Sequence, residues 1–160
     1  MEITLDSIGM IHTPFKTIEN MPIQPAGAAG IKGSIDLYEK FLPGLKDLEG
    51  FSHIILLYYF HKVQESQLTV TPFLDAEPHG VFATRAPKRP NPIGLSVVRL
   101  QSVYKNILEI ENVDMLDGSP LLDIKPYVPD FDGDLSGIRL GWLQERKDAV
   151  VTKSSDGRFR

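Results

Sequence analysis

Between Gly80 and Leu100 the chain reads GVFATRAPKRPNPIGLSVVRL, and Arg85, Lys88, Arg89 and Asn91 stand inside it. Pro87, Pro90 and Pro92 each hold φ near about −65° and push the preceding residue toward extended backbone, so helix is excluded and Arg89 and Asn91 are expected to be extended. A turn this stiff presents its side chains. No Asp or Glu occurs from Pro78 to Leu108, a window with five Lys and Arg in a chain of net charge −4. The positive charge is therefore local. Three cations beside a fixed amide, followed by Gly94, suit a polyanion or a nucleotide. A Pro-rich hairpin with a solvated tip is the other reading of the same residues.

Other chemistry is narrowed by what is missing. The chain has no Cys, which removes disulfides, thiolate nucleophiles and Cys-based zinc sites. The histidines, at 12, 53, 61 and 79, match no metal-ligand spacing, so no metal is expected. No Gly-x-Gly-x-x-Gly follows a strand, and neither a P-loop nor a Gly-x-Ser-x-Gly elbow occurs. His61 and Lys62 stand where an apolar run meets polar residues, a place open to a working imidazole or to a satisfied strand end. Gln24, Pro25 and Ala26 lie in a long stretch of small residues, Phe15–Gly33, read as a loop whose backbone amides can close over a ligand or as a mobile surface loop. Eight acids fall between Glu109 and Asp134 with Lys125 as the one cation, the counter-charge to the basic window.

The elements that must position these groups read as strands. Ile3–His12 alternates loosely and stops at Thr13-Pro14. Ser34–Tyr38 is a short strand, and Leu42, Leu45 and Leu48 mark a helical or 3₁₀ turn ending at Gly50. His53–His61, apolar on both faces, predicts a central covered strand. Leu68–Phe73 reads as a strand feeding the turn Asp75–His79. Ile93–Tyr104 and Ile107–Val113 form a hairpin through Lys105-Asn106; Asp117-Gly118 is a turn, and Pro120 and Pro126 bracket another strand. Gly137–Leu143 reads as a last extended segment. The fold expected is all-β: a single-sheet barrel of about seven strands with long functional loops and few short helices. It occupies residues 1–143, and residues 144–160 form a charged tail expected to fray. The start, MEITLDSIGMIH, has no basic n-region with a continuous apolar stretch, so cytoplasm is the expected place.

Three stretches, FSHIILLYYFH, GVFATRAPKRPNPIGLS and DMLDGSPLLDIKPYVP, in that order, closely resemble the TsaA-like (YaeB/TrmO) family of S-adenosylmethionine-dependent tRNA methyltransferases. The resemblance runs from about Ile8 to Val128. It implies a homodimeric β-barrel that binds S-adenosylmethionine without a Rossmann domain and methylates N6 of the threonylcarbamoyl-modified adenosine 3′ of a tRNA anticodon. Carried over motif by motif, the cofactor contacts are Gln24, Pro25, Ala26, His61, Lys62, Arg85, Leu95, Asp117, Gly118, Ser119 and Pro120. Well-known bacterial members carry an extra C-terminal domain that this chain does not extend into.

The chemistry suits the residues. Methyl transfer from a sulfonium is an in-line displacement, so alignment of donor and acceptor at roughly 3 Å supplies much of the rate, up to about 7–11 kcal/mol in favourable systems. Asn91, followed by Pro92, can accept hydrogens from an acceptor amine, and His61 and Tyr127 are the other candidate catalytic groups. Lys88, Arg89 and Lys125 are candidates to hold RNA phosphates. The acidic turn Asp114–Asp117 can meet the sulfonium charge or ribose hydroxyls. A non-catalytic RNA- or nucleotide-binding barrel, or a methyltransferase for another small substrate, remains open on these residues. The split between the basic and acidic segments suggests a two-fold dimer that sets one against the other, or neutralisation within one chain.

Overall fold

The computed structural model of the chain describes residues 1–131 and 135–159. The end of the acidic segment, Asp132 to Asp134, and the terminal Arg160 lie outside the described residues. The strands are β1 (Gly9–His12), β2 (Lys32–Leu37), β3 (His53–Tyr59), β4 (Thr69–Val70), β5 (His79–Gly80), β6 (Ile93–Tyr104), β7 (Ile107–Glu111) and β8 (Ser119–Pro126). Six of them close an antiparallel barrel in the order β1-β2-β7-β6-β3-β8, with β8 returning to β1, and β4 and β5 form a separate ribbon. This is the all-β single-sheet barrel that the strand pattern predicts. Closure leaves the barrel itself without an edge strand.

Alternation fills the interior. Along β3 Ile54, Leu56 and Tyr58 point inward, and along β6 Gly94, Ser96, Val98 and Leu100 do so. With Ile11, Ile35, Leu108, Ile110, Met115 and Leu121 they build the core. Each such aliphatic side chain contributes about 1.5–3 kcal/mol by leaving water. The outward Ile55 and Leu57 are only half-buried, so β3 is fully covered on its inner face alone. The Lys105-Asn106 hairpin forms as read, with Tyr104 opposite Ile107. Gly118 takes φ +75° in the turn closed from Ser119 N–H to the Leu116 carbonyl, a conformation that favours glycine.

Three strand expectations are shortened or replaced. In the first, only Gly9–His12 pairs, because β2 ends at Leu37 and the next residues turn into a 3₁₀ helix, leaving Ile3 and Leu5 exposed with no ladder to join. In Leu68–Phe73, only Thr69 and Val70 pair, since Pro72 has no N–H to continue the ribbon. Within Gly137–Leu143, Gly137 and Gly141 take φ of 66° and 56°, which break an extended run, and Gly141–Leu143 is a 3₁₀ turn.

The C-terminal tail packs back onto the barrel loops instead of fraying. Ser155 N–H donates to the Met21 carbonyl at 2.7 Å, and Met21 N–H donates to Ser155 Oγ at 2.8 Å. Phe159 is 3% exposed, packed with Val70, Val81 and Ala86 and edge-on to Phe73 at 5.1 Å. Trp142 stacks on His79 at 4.5 Å and donates its indole N–H to the Ala83 carbonyl. Arg146 meets the buried Asp75 carboxylate, which also holds His79 at 2.8 Å. Phe159→Ala should therefore release this segment. Removing a buried ring costs about 3 kcal/mol, so trypsin should cut at Arg146, Lys147 or Lys153 about a hundredfold faster while barrel amides stay protected from hydrogen exchange. Unchanged cleavage would show that this ring does not hold the tail.

Candidate active site

β3 ends and β6 begins at the same rim of the barrel, and a cavity of about 590 Å³ opens there. Its floor is Tyr58, Gly94, Asp114 and Met115; the loop before β2, the basic turn and the tail wall it with Gln24, Arg85, Trp142 and Phe159. The size is that of a small-molecule site, about 300–1,000 Å³.

Register builds the floor. Tyr58 lies opposite Gly94, and a Cβ on that glycine would come 2.4 Å from the tyrosine ring, so only glycine lets the ring lie there. The Tyr58 hydroxyl then reaches Ser96 Oγ at 3.1 Å, and Ser96 donates to Asp114 Oδ1 at 2.6 Å. Burial pushes the Asp114 carboxyl up to about 6, against the Ser96 hydrogen bond and the nearby Arg85 charge. Tyr58 is likewise raised well above the ordinary phenol value, mainly by burial and then by Asp114. At the mouth, burial and then Lys62 hold His61 below the usual imidazole value. It is therefore neutral at neutral pH and able to accept a proton.

Of the residues expected from sequence, the structure brings Gln24, His61, Lys62, Arg85, Arg89, Leu95 and Ser119 to the cavity lining. Arg85 donates to Gln24 Oε1 at 3.0 Å, joining the long loop to the basic turn. Arg89 Nη1 donates to the carbonyls of Val81 at 3.0 Å and Thr84 at 2.8 Å, clamping the turn on itself. Pro25 and Ala26 form a 3₁₀ turn beside Gln24, while Asn91 is exposed and Lys88 half-buried on the basic turn; none of the four reaches the lining. Asp117 points the other way, accepting from Thr13 N–H at 3.0 Å and meeting Lys16 at 2.7 Å, and these bonds hold its carboxyl below the usual range. Gly118 and Pro120 share that turn and serve to place Ser119.

Tyr127 lies at the opposite end of the barrel, and Lys125 part-way toward it. Tyr127 N–H donates to the His53 carbonyl, and Lys125 is opposite Ile55 and paired with Asp123 at 2.7 Å. Along β3, Ile55 lies three residues and His53 five from the cavity residue Tyr58, so roughly 10 Å and 16 Å of strand separate Lys125 and Tyr127 from the cavity of their own chain. Site residues that sequence reading missed are Tyr58, Ser96 and Trp142, and Asp114 was noticed only as part of an acidic turn. The Tyr58–Gly94 pairing is invisible until register is known. Among the described residues no group of three or more His, Asp or Glu could hold a metal, and no described helix is long and apolar enough to cross a membrane.

The protein is thus a small closed barrel with a walled cavity at one rim. Residues 10–133 match the family described as the tRNA-methyltransferase O N-terminal domain, and the chain belongs to that family. It is 53% identical over 152 residues to a probable S-adenosyl-L-methionine-binding protein of Pyrococcus abyssi, covering 95% of this chain and 82% of that one. It is 38% identical to the tRNA (adenine(37)-N6)-methyltransferase of Escherichia coli, covering 78% of this chain and 57% of the enzyme. The crystal structure of TrmO from Pseudomonas aeruginosa superposes with a TM-score of 0.73 at 38% identity, covering 89% of this chain and 63% of that one. The chain thus spans a little over half of these two longer relatives.

The half-buried Asp114 carboxylate makes stability depend on pH. Asp114 keeps its proton to higher pH when folded than when unfolded, so its contribution to stability is lost as pH rises from about 4 to about 6. Asp114→Asn is neutral throughout. It should stabilise the ligand-free protein above pH 6 by roughly 3 kcal/mol, a gap that closes below pH 4 in thermal melts. Equal melting curves above pH 6 would mean that the carboxylate is fully solvated.

Proposed function

We propose that the chain is an S-adenosylmethionine-dependent tRNA methyltransferase whose acceptor is the N6 nitrogen of the threonylcarbamoyl-modified adenosine 3′ of the anticodon. The observation that carries this reading is the single cavity in which Gln24, His61, Lys62, Arg85, Leu95 and Ser119 meet, although they come from four separate segments. Membership of the tRNA-methyltransferase O family supports it. In this reading those residues hold the methyl donor, and Pro25, Ala26, Asp117, Gly118 and Pro120 shape the turns that carry them. Neutral His61, at the mouth, accepts the N6 proton as the methyl group moves from sulfur to nitrogen. Lys88 and the exposed Lys62 face incoming RNA.

A homodimer belongs to the same proposal. Tyr127, level with His53 at the other end of β3 from its own cavity, can approach an acceptor from a second chain, and the exposed Lys125 can do so beside it. The reaction's setting is the cytoplasm, where tRNA is modified.

Two measurements test this reading. Incubated with S-adenosylmethionine and tRNA carrying or lacking the threonylcarbamoyl group, the protein should add one methyl to the modified adenosine, read by nucleoside mass analysis. Methylation of neither tRNA, with RNA or nucleotide still bound, would favour the passive barrel. Light scattering at micromolar concentration should give twice the 17.9 kDa chain mass at low and at high salt. A monomer with full activity would remove the shared site.

A further inference from the structure

The charges lining the cavity are unbalanced. Lys62, Arg85 and Arg89 line it with cationic groups, and among the described lining residues Asp114 supplies the one carboxylate. A methyl donor of the S-adenosylmethionine type brings one carboxylate and two positive centres, an ammonium and a sulfonium. Lys62 and Arg85 suit its carboxylate, as Arg89 is tied to backbone carbonyls. One of the positive centres must then face Asp114 or go unmatched among cations.

We infer that Asp114, held by Ser96, is the counter-ion of the sulfonium centre, in a site whose cofactor class rests on the function proposed above. The chemistry of the floor favours sulfonium over ammonium. Tyr58 and Asp114 line the floor, and Ser96 Oγ, buried behind it, joins their oxygens at 3.1 and 2.6 Å, with the hydroxyl protons engaged within the cluster. A sulfonium has no N–H, so it needs nearby oxygen and negative charge, whereas a buried ammonium must place three hydrogens on acceptors. Its polarised methyl hydrogens make weak C–H···O contacts with such oxygens. The groups that face Asp114 are Ser96 on β6, Tyr58 on β3 and Arg85 from the basic turn, while His61 and Lys62 line the same cavity. A facing cation offsets the desolvation that raises the carboxyl to about 6.

Calorimetry of the full chain with S-adenosylmethionine and with S-adenosylhomocysteine, which lacks the sulfonium charge, separates the possibilities. Asp114→Asn should weaken S-adenosylmethionine about ten- to a hundredfold and S-adenosylhomocysteine less than about threefold, as removal of one partner of a desolvated charge pair predicts. Equal losses for both ligands would place the carboxylate on a shared group, ammonium or ribose, and overturn the inference. So would no loss for either. Ser96→Ala, which frees the carboxylate from its donor, should show the same selectivity at smaller size and decides the matter if Asp114→Asn fails to fold. Failure of the parent chain to bind either ligand would instead overturn the cofactor reading, and this inference with it.

Discussion

A tyrosine ring laid across a glycine sets the working end of this barrel. β3 and β6 pair with Tyr58 opposite Gly94, and the missing side chain leaves the space that the ring occupies. The ring's hydroxyl thereby reaches Ser96, which sits one inward step further along β6 and orients Asp114. A methyl group on Gly94 would drive the ring out and unlink all three polar groups. Below this level the interior is aliphatic and closed; at it, the interior turns polar and opens to ligand.

Local charge and working charge are different things in this chain. The basic turn looks like three equivalent cations along the sequence. Folded, Arg89 clamps its own turn, Arg85 reaches across to Gln24, and Lys88 is half-buried. The acidic segment divides in the same way: Asp117 fastens Thr13 and Lys16 beneath the barrel rim, Asp123, opposite Leu57, meets Lys125, and among the described acids Asp114 alone lines the cavity. The two segments also meet within one chain, for Arg99 is directly opposite Glu111 across the β6–β7 ladder. Position relative to the barrel axis, and not density of charge along the chain, decides what each group does.

The tail completes the picture of a site assembled late in the chain. A shallow rim would leave a ligand in water; Trp142, Ser155 and Phe159 raise a wall on it by docking against loops that precede them by more than fifty residues. The His79–Trp142 stack and the Asp75–Arg146 pair tie that wall to the ribbon beside the basic turn. Water exclusion of this kind strengthens every charge interaction inside the cavity.

Alternation, proline and the Lys105-Asn106 and Asp117-Gly118 turns marked the barrel strands along the chain, because side-chain period and turn chemistry act over a few residues. For the same reason the motifs around His61, Arg85 and Ser119 could be located without coordinates. Three things depended on tertiary structure. Strand ends were set by whether a neighbouring strand was there to pair, which shortened the first strand to Gly9–His12. Roles within the basic turn were set by which carbonyls surrounded each guanidinium. The tail read as frayed because its anchors, Met21 for Ser155 and Val70 and Val81 for Phe159, are remote in sequence and hold it only once the barrel has brought them together.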